Sequence, residues 1–599
     1  MRSRSAENQI SEYAIVGDSR TAALISSDGG IDWLCLPRFD GPSIFNRLLD
    51  PWHGGHFTIA PAGVFSSRRY YHSSTAILVT EFSTSEGKVR ITDLMPVSSE
   101  EQKKNQLLPL SSLLRVIEGL DGAVELDIVF KPRPDDGRLV PNLHTRGAAG
   151  YFIDLGNRLI HLATDLVLGL RQGELEGRVS VRASERHILW LAYSEDAPAV
   201  YPMLSHWHQA IETTSTYWCN WTERCTYSGA YREAVLRSAL TLKLLSYAPS
   251  GAIMAAPTTS LPEVIGGVRN WDYRYCWLRD ASFTAQTFFH LGYSDDAMVF
   301  TQWMMHATTL THPRLKVLYT LYGELGLDEE RKPYLPGYRG SQPVRYGNEA
   351  RSQDQLDIYG EVLDGLLTYV KAGGPVDREM LRLIVKIADY IATNWTVPDH
   401  GIWEIRPHPR HYVYSKVMCW VALDRAQQIL NKLHVSKDFS RWIQAQEAIR
   451  DAVLQSGYSQ QLQCFVQHFG TEDVDATALL FARLGFVDPK DPLFASSVGV
   501  LRDKLADGDL MFRYRAPDNL PGQEGAFLAC SFWLVEALHA MGRREEAQQM
   551  FDRLERHAND VGLYSEEKDP STGEFLGNFP LALTHLGHIR AALVLSQGT

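Results

Sequence analysis

The chain has 599 residues, 45% of them hydrophobic and 22% charged, with a formal net charge of −12. That composition is one of a folded, water-facing protein long enough for two or more domains. It holds no basic cluster dense enough to bind nucleic acid, and no apolar run near the ~20 residues of a membrane span.

The chain opens on Met1-Arg2-Ser3-Arg4-Ser5-Ala6-Glu7-Asn8, which lacks the apolar segment of a secretory leader. Residues 1–200 read as β: alternating or β-branched runs such as Ala76-Ile77-Leu78-Val79-Thr80-Glu81-Phe82 are punctuated by turns such as Asp28-Gly29-Gly30 and Asp135-Asp136-Gly137. This spacing predicts an antiparallel β-sandwich. Residues 201–228 then form an aromatic-rich helical connector, and 229–599 a separate helical domain. There the apolar period predicts twelve helices, at 231–249, 274–293, 294–308, 355–373, 377–395, 412–433, 440–458, 475–486, 492–505, 527–542, 544–559 and 578–597. Twelve helices with no convincing strand among them fit six hairpins closed into an (α/α)6 toroid. The seven cysteines (35, 219, 225, 276, 419, 464 and 530) are scattered and odd in number. They read as thiols in a reducing cytoplasm, with no zinc-binding spacing.

Long loops precede every second helix, and in a closed ring they meet on one rim, where helix N-termini present unpaired N–H groups. Chemistry is expected there. Residues 267–280 hold two Trp, two Tyr, three Arg and two Asp, a mixture in which rings stack on a sugar and forked charges fix its hydroxyls. Residues 346–361 offer Arg351, Gln353 and Asp357, although capping by Ser352 and Asp354 explains much of that composition. In His400-Gly401-Ile402-Trp403-Glu404-Ile405-Arg406, a carboxylate directly after Trp403 is open to desolvation, which holds it protonated as a general acid requires. Pro407 and Pro409 break any metal-ligand spacing among His400, His408 and His411. Arg513, Arg515 and Glu524 precede the tenth helix. Glu566 and Glu567 precede the twelfth, followed by Thr584-His585-Leu586-Gly587-His588.

Asp272-Tyr273-Arg274-Tyr275-Cys276-Trp277-Leu278-Arg279-Asp280 resembles the sugar-binding motif of glycoside hydrolase family 15, the glucoamylases and their bacterial trehalase-like relatives. The resemblance extends over nearly the whole chain. It implies that Arg279 and Asp280 grip the non-reducing glucose, with Tyr273, Trp277 and Trp403 in the same pocket. Glu404 stands at the place of the general acid and Glu566 at that of the base, with Glu567 where glucoamylases often have Gln. It also implies a sugar-contacting Arg, at 513 or 515, and leaves Glu524 as a rival carboxylate. The start of the chain is similar to the bacterial amino-terminal domain, whose Trp33 and Phe39 either reach the site or pack the sandwich. The implied reaction is inverting, exo-acting hydrolysis of a small α-glucoside, with trehalose expected and maltooligosaccharides or isomaltose as the alternative. It requires no cofactor and no resident metal, although some relatives depend on phosphate and magnesium. Self-association of the chain stays open. A carbohydrate-binding protein without activity would have lost a carboxylate, and both are present.

Overall fold

Alternating β-branched and aromatic residues build one antiparallel sheet of fifteen strands within the first 195 residues of this computed structural model. The structure describes residues 7–99, 101, 108–109, 111–195, 199–309, 311–325, 328–406 and 408–596. Residues 1–6, part of the stretch read above as lacking a leader's apolar segment, and Pro407 lie outside them.

The expected sandwich is thus a single hydrogen-bonded sheet, because two layers share the long strand Ser111–Lys131. Its first half pairs with Gly87–Leu94 and Arg186–Glu195, and its second half with His56–Pro61 and Glu174–Arg182. Strand Tyr13–Gly17 packs on Leu78–Ser83 and Gly87–Leu94 without pairing with either, so the layers face each other. Arg115 joins them from inside. Its guanidinium donates to Asp93 Oδ1 at 2.8 Å and to the carbonyls of Phe57 and Gly29 at 2.7 and 2.9 Å. A buried charge is tolerated only when paired in this way. Trp33 and Phe39 are core residues, 0% and 1% exposed.

The chain divides into two compact units, residues 1–225 with 333–344 and 559–563, and residues 226–332 with 345–558 and 564–599. Helix α1 (Trp207–Glu223) belongs to the first. The second holds α2 (Arg232–Leu244), α3 (Leu278–His290), α4 (Ser294–Thr308), α5 (Asp357–Lys371), α6 (Arg378–Asn394), α7 (Val413–Lys432), α8 (Ser440–Ser456), α9 (Pro492–Leu505), α10 (Leu528–Ala540), α11 (Arg544–Leu554) and α12 (Ala582–Ser596). Helix α3 packs on α5, α5 on α7, α10 on α12, and α12 back on α3. Between α7 and α10 stands the short 3-10 helix Ala476–Leu480. It packs on α10, and just beyond it Phe486 meets Trp420 of α7 edge to face. The inner elements therefore close into a ring, as an (α/α)6 toroid requires. The other helices pack outside it, and burial separates the two sets. Helix α6 buries only Met380, Leu383, Ile384, Ile387, Ala388 and Ile391, one face of a helix. Helix α10 is buried all round from Leu528 to Leu538.

The predicted helix at 475–486 is corrected to that 3-10 helix followed by turns. The Asp475 carboxylate accepts from both the backbone N–H and the hydroxyl of Thr477, tightening the first turn. Gly485, at φ 78°, ends the segment. The strands of this unit span only two to four residues and tie loops together.

Candidate active site

Every loop that precedes an inner helix, apart from the one before the 3-10 helix, sends side chains into one pocket of about 800 Å³, open at its mouth. The strand Cys276–Trp277 turns directly into α3, which places Trp277, Arg279 and Asp280 at the start of that helix. Arg279 forks onto Asp280, with Nε 2.8 Å from Oδ1 and Nη2 3.3 Å from Oδ2, while Nη1 donates to the Ile402 carbonyl at 2.9 Å. That third bond ties the forked pair to the loop carrying Glu404. Trp277 Nε1 donates to Glu404 Oε1 at 2.6 Å, and Gln353 Nε2 holds the Glu404 carbonyl at 3.1 Å. Glu404 has φ 59°, a left-handed conformation that costs a residue other than glycine roughly 1–3 kcal/mol and is kept where surroundings fix it. Burial pushes its carboxyl above the ordinary range. The positive charge of Arg279 and the Trp277 bond pull the other way without cancelling that rise.

Glu566 faces the same pocket from the loop before α12. Its Oε1 accepts the Tyr273 phenol at 2.8 Å and its Oε2 accepts the Asn578 N–H at 3.1 Å. Gly577, at φ 71°, lets the backbone come this close, since a Cβ there would lie 2.3 Å from Oε2. Burial raises the Glu566 carboxyl to about 7, against the lowering by Arg513 and the Tyr273 bond. Tyr273 and Trp277 meet edge to face, centroids 5.4 Å apart, each donating to a different carboxyl group. The two acids are thus held from the two members of one aromatic pair.

Adjacent residues of an extended segment point to opposite sides, and this separates Glu566 from Glu567. Glu567 turns away from the pocket and accepts the Gly525 N–H at 2.9 Å, in a three-stranded sheet of Ala526–Phe527, Glu567–Lys568 and Phe575–Leu576. The two arginines also face different ways, although residues two apart on a regular strand would share a face, because the chain bends at Arg513. Arg513 lines the pocket, whereas Arg515 is exposed and lies over the Phe512 ring at 4.2 Å. Trp403 lines the pocket and donates to Asp475 Oδ2 at 2.8 Å. Glu524 does not border the pocket; Arg513 Nε reaches its Oε2 at 2.6 Å. Arg351 turns to an ion pair with Asp328, and Asp357 is buried at the start of α5.

Two carboxylates of the site carry no sequence signal. Glu263 accepts Trp271 Nε1 at 3.0 Å and Arg513 Nη2 at 3.1 Å, and burial raises it to about 8. Asp518 pairs with Arg269 through contacts of 2.5 and 2.8 Å. Neither stands beside a Trp or in a capping pattern, so only the fold reveals them. Oxygens of Glu263, Glu524 and Glu567 lie within 4.8 Å of one another, the one such grouping among the described residues. Arg513 already forms ion pairs with the first two, so a guanidinium supplies the cation at that point.

Removing the Tyr273 phenol should expose the electrostatics of Glu566. That bond favours the charged carboxylate, so in Tyr273→Phe the group ionises only at higher pH. The acidic limb of kcat/KM is expected to move upward, and an unmoved limb would separate Glu566 from the ionisation that limits the rate.

Comparison with known proteins places these features. Residues 229–593 match the family described as Glycosyl hydrolases family 15, and residues 3–155 match Trehalase-like, N-terminal. A trehalase of Thermoplasma volcanium is 36% identical over 98% of this chain and 94% of its own length, and one of Thermoplasma acidophilum is 38% identical over 96% and 98%. A trehalase of Mycolicibacterium smegmatis is 35% identical over 98% and 91%. Among solved structures, a bacterial glucoamylase complexed with acarbose shares the fold, with a TM-score of 0.72 at 13% identity over 98% of this chain and 94% of that one.

Proposed function

The chain belongs to the glycosyl hydrolases of family 15, and on that premise we propose that it is an inverting trehalase, with Glu404 as general acid and Glu566 as general base. The observation that carries the assignment is the separate anchoring of the two carboxyl groups, Glu404 on Trp277 and Glu566 on Tyr273. An inverting hydrolase needs two such groups on opposite faces of the sugar with room for a water, the carboxyls typically ~6.5–9.5 Å apart. Glu404 gives its proton to the glycosidic oxygen as the bond to C1 breaks, and the leaving glucose departs as an alcohol. Glu566 takes a proton from the water that attacks C1 from the other side. Arg279 and Asp280 hold the hydroxyls of the ring under attack, and charge-assisted donors of this kind gain strength in a desolvated pocket. The chemistry closes without a cofactor.

Trehalose is favoured over other α-glucosides by the trehalases similar to this chain across both of its units. A cytoplasmic setting is supported by the buried thiols of Cys276, Cys419, Cys464 and Cys530, none paired with another cysteine. No helix among the described residues is long and apolar enough to cross a membrane. The test is glucose release by the purified chain from trehalose, maltose and isomaltose at equal concentration, with kcat/KM for each. Trehalose is expected to lead. A higher kcat/KM on maltose or isomaltose would move the substrate to glucan fragments and leave the acid and base in place.

A further inference from the structure

His585 and His588 lie three residues apart on α12, both 0% exposed, and a buried imidazole is kept where both ring nitrogens have partners. The Tyr564 backbone N–H donates to His585 Nε2 at 3.3 Å. A backbone N–H can only donate, so a neutral His585 carries its proton on Nδ1 and gives it to Ser238 Oγ of α2 at 2.9 Å. The Ser238 hydroxyl then donates to His588 Nδ1 at 2.9 Å, which places the His588 proton on Nε2, 2.5 Å from Glu555 Oε1. Glu555 Oε1 also accepts the Tyr564 phenol at 3.2 Å. The chain of bonds begins on the backbone of Tyr564 and ends on its side chain. With both imidazoles neutral, one set of proton positions satisfies every link. Burial keeps His585 well below its ordinary range and therefore neutral.

Tyr564 stands two residues before Glu566, and Leu581, just ahead of α12, and Thr584 on it hold the two residues that precede Glu566. The Leu581 N–H donates to the Tyr564 carbonyl at 3.2 Å, and Thr584 Oγ1 to the Ser565 carbonyl at 2.9 Å. We propose that the closed circuit Tyr564–His585–Ser238–His588–Glu555 is a positioning device for the general base, fixing the segment that aims the Glu566 carboxylate at Tyr273 and the Asn578 N–H. The inference rests on Glu566 being that base. The circuit residues lie outside the pocket lining; they act through the backbone. A base displaced by about 1 Å can lose on the order of 10²-fold in rate, so a polar circuit of this kind has leverage on kcat that its distance from the sugar conceals.

Ser238→Ala in the full-length chain removes the central oxygen and unpairs a nitrogen on each histidine. The expected result on trehalose is a kcat lower by about tenfold to a hundredfold, with KM within about twofold because Arg279 and Asp280 are untouched. The acidic limb of kcat/KM should also move to higher pH, since Glu566 loses bonds that favour its charge. Ser238→Thr, which keeps the hydroxyl, should restore both. If Ser238→Ala does not fold, Glu555→Ala opens the circuit at its more accessible end and should give a smaller kcat loss with the same direction of pH shift. Parent kcat and an unmoved limb in a folded Ser238→Ala or Glu555→Ala variant, even one with a lower Tm, would overturn the proposal. Substantial activity in Glu566→Ala would instead remove the base assignment beneath it, so the two failures are distinguishable.

Discussion

Glu566→Ala is expected to lower trehalose hydrolysis by at least about 10³-fold at every pH while the protein remains folded and still binds glucose. The fold should tolerate the change, because the carboxyl group is buried at a cost that pushes its pKa to about 7, and alanine removes that cost. It leaves the Tyr273 phenol and the Asn578 N–H facing a space the size of a carboxyl group. A small anion fits there. Added azide should attack C1 from the face Glu566 occupied, restore turnover and give the β-glucosyl azide. Glu524→Ala and Glu567→Ala are the comparisons, since both carboxyls belong to the ion network behind the pocket. If either is the inactive variant and Glu566→Ala is not, the base sits on a different residue.

The second large effect concerns the acid. Glu404→Gln retains an oxygen that can accept from Trp277 Nε1, so the loop and the sugar pocket should persist unchanged. What it lacks is the proton. Trehalose, whose leaving group is a sugar alkoxide unless protonated, should lose ~10²–10⁴-fold in rate. Glucosyl fluoride leaves with little help and should lose far less. Equal losses on the two substrates would take Glu404 out of the acid role.

Much of this was legible in the sequence because the signals are local and periodic. Helix α6 announces itself by apolar residues at 380, 383, 384, 387, 388 and 391. The motif at 271–280 couples aromatic and charged residues that do meet in one pocket. Where the sequence was silent, the deciding quantity was the direction of a side chain. Glu566 and Glu567 are composition twins that an extended backbone turns to opposite sides, whereas Arg513 and Arg515, two residues apart, are parted by a bend in the chain at Arg513. Glu263 joins the site through Trp271 and Arg513, the latter 250 positions away, a relation no local pattern contains. His585 and His588 were visible as a motif, but their partner Ser238 lies on a helix near the other end of the unit.

The anomeric composition of the first product tests the two-carboxylate account most directly. Trehalose joins two α-linked glucose rings at their C1 atoms. Inversion at the attacked ring therefore yields β-glucose from it, while the departing ring keeps its α configuration. Proton NMR recorded within the first turnovers, before mutarotation, should show α- and β-glucose in equal amounts. Fresh product that is entirely α-glucose would mean retention through a covalent intermediate, and would contradict the roles given to Glu404 and Glu566.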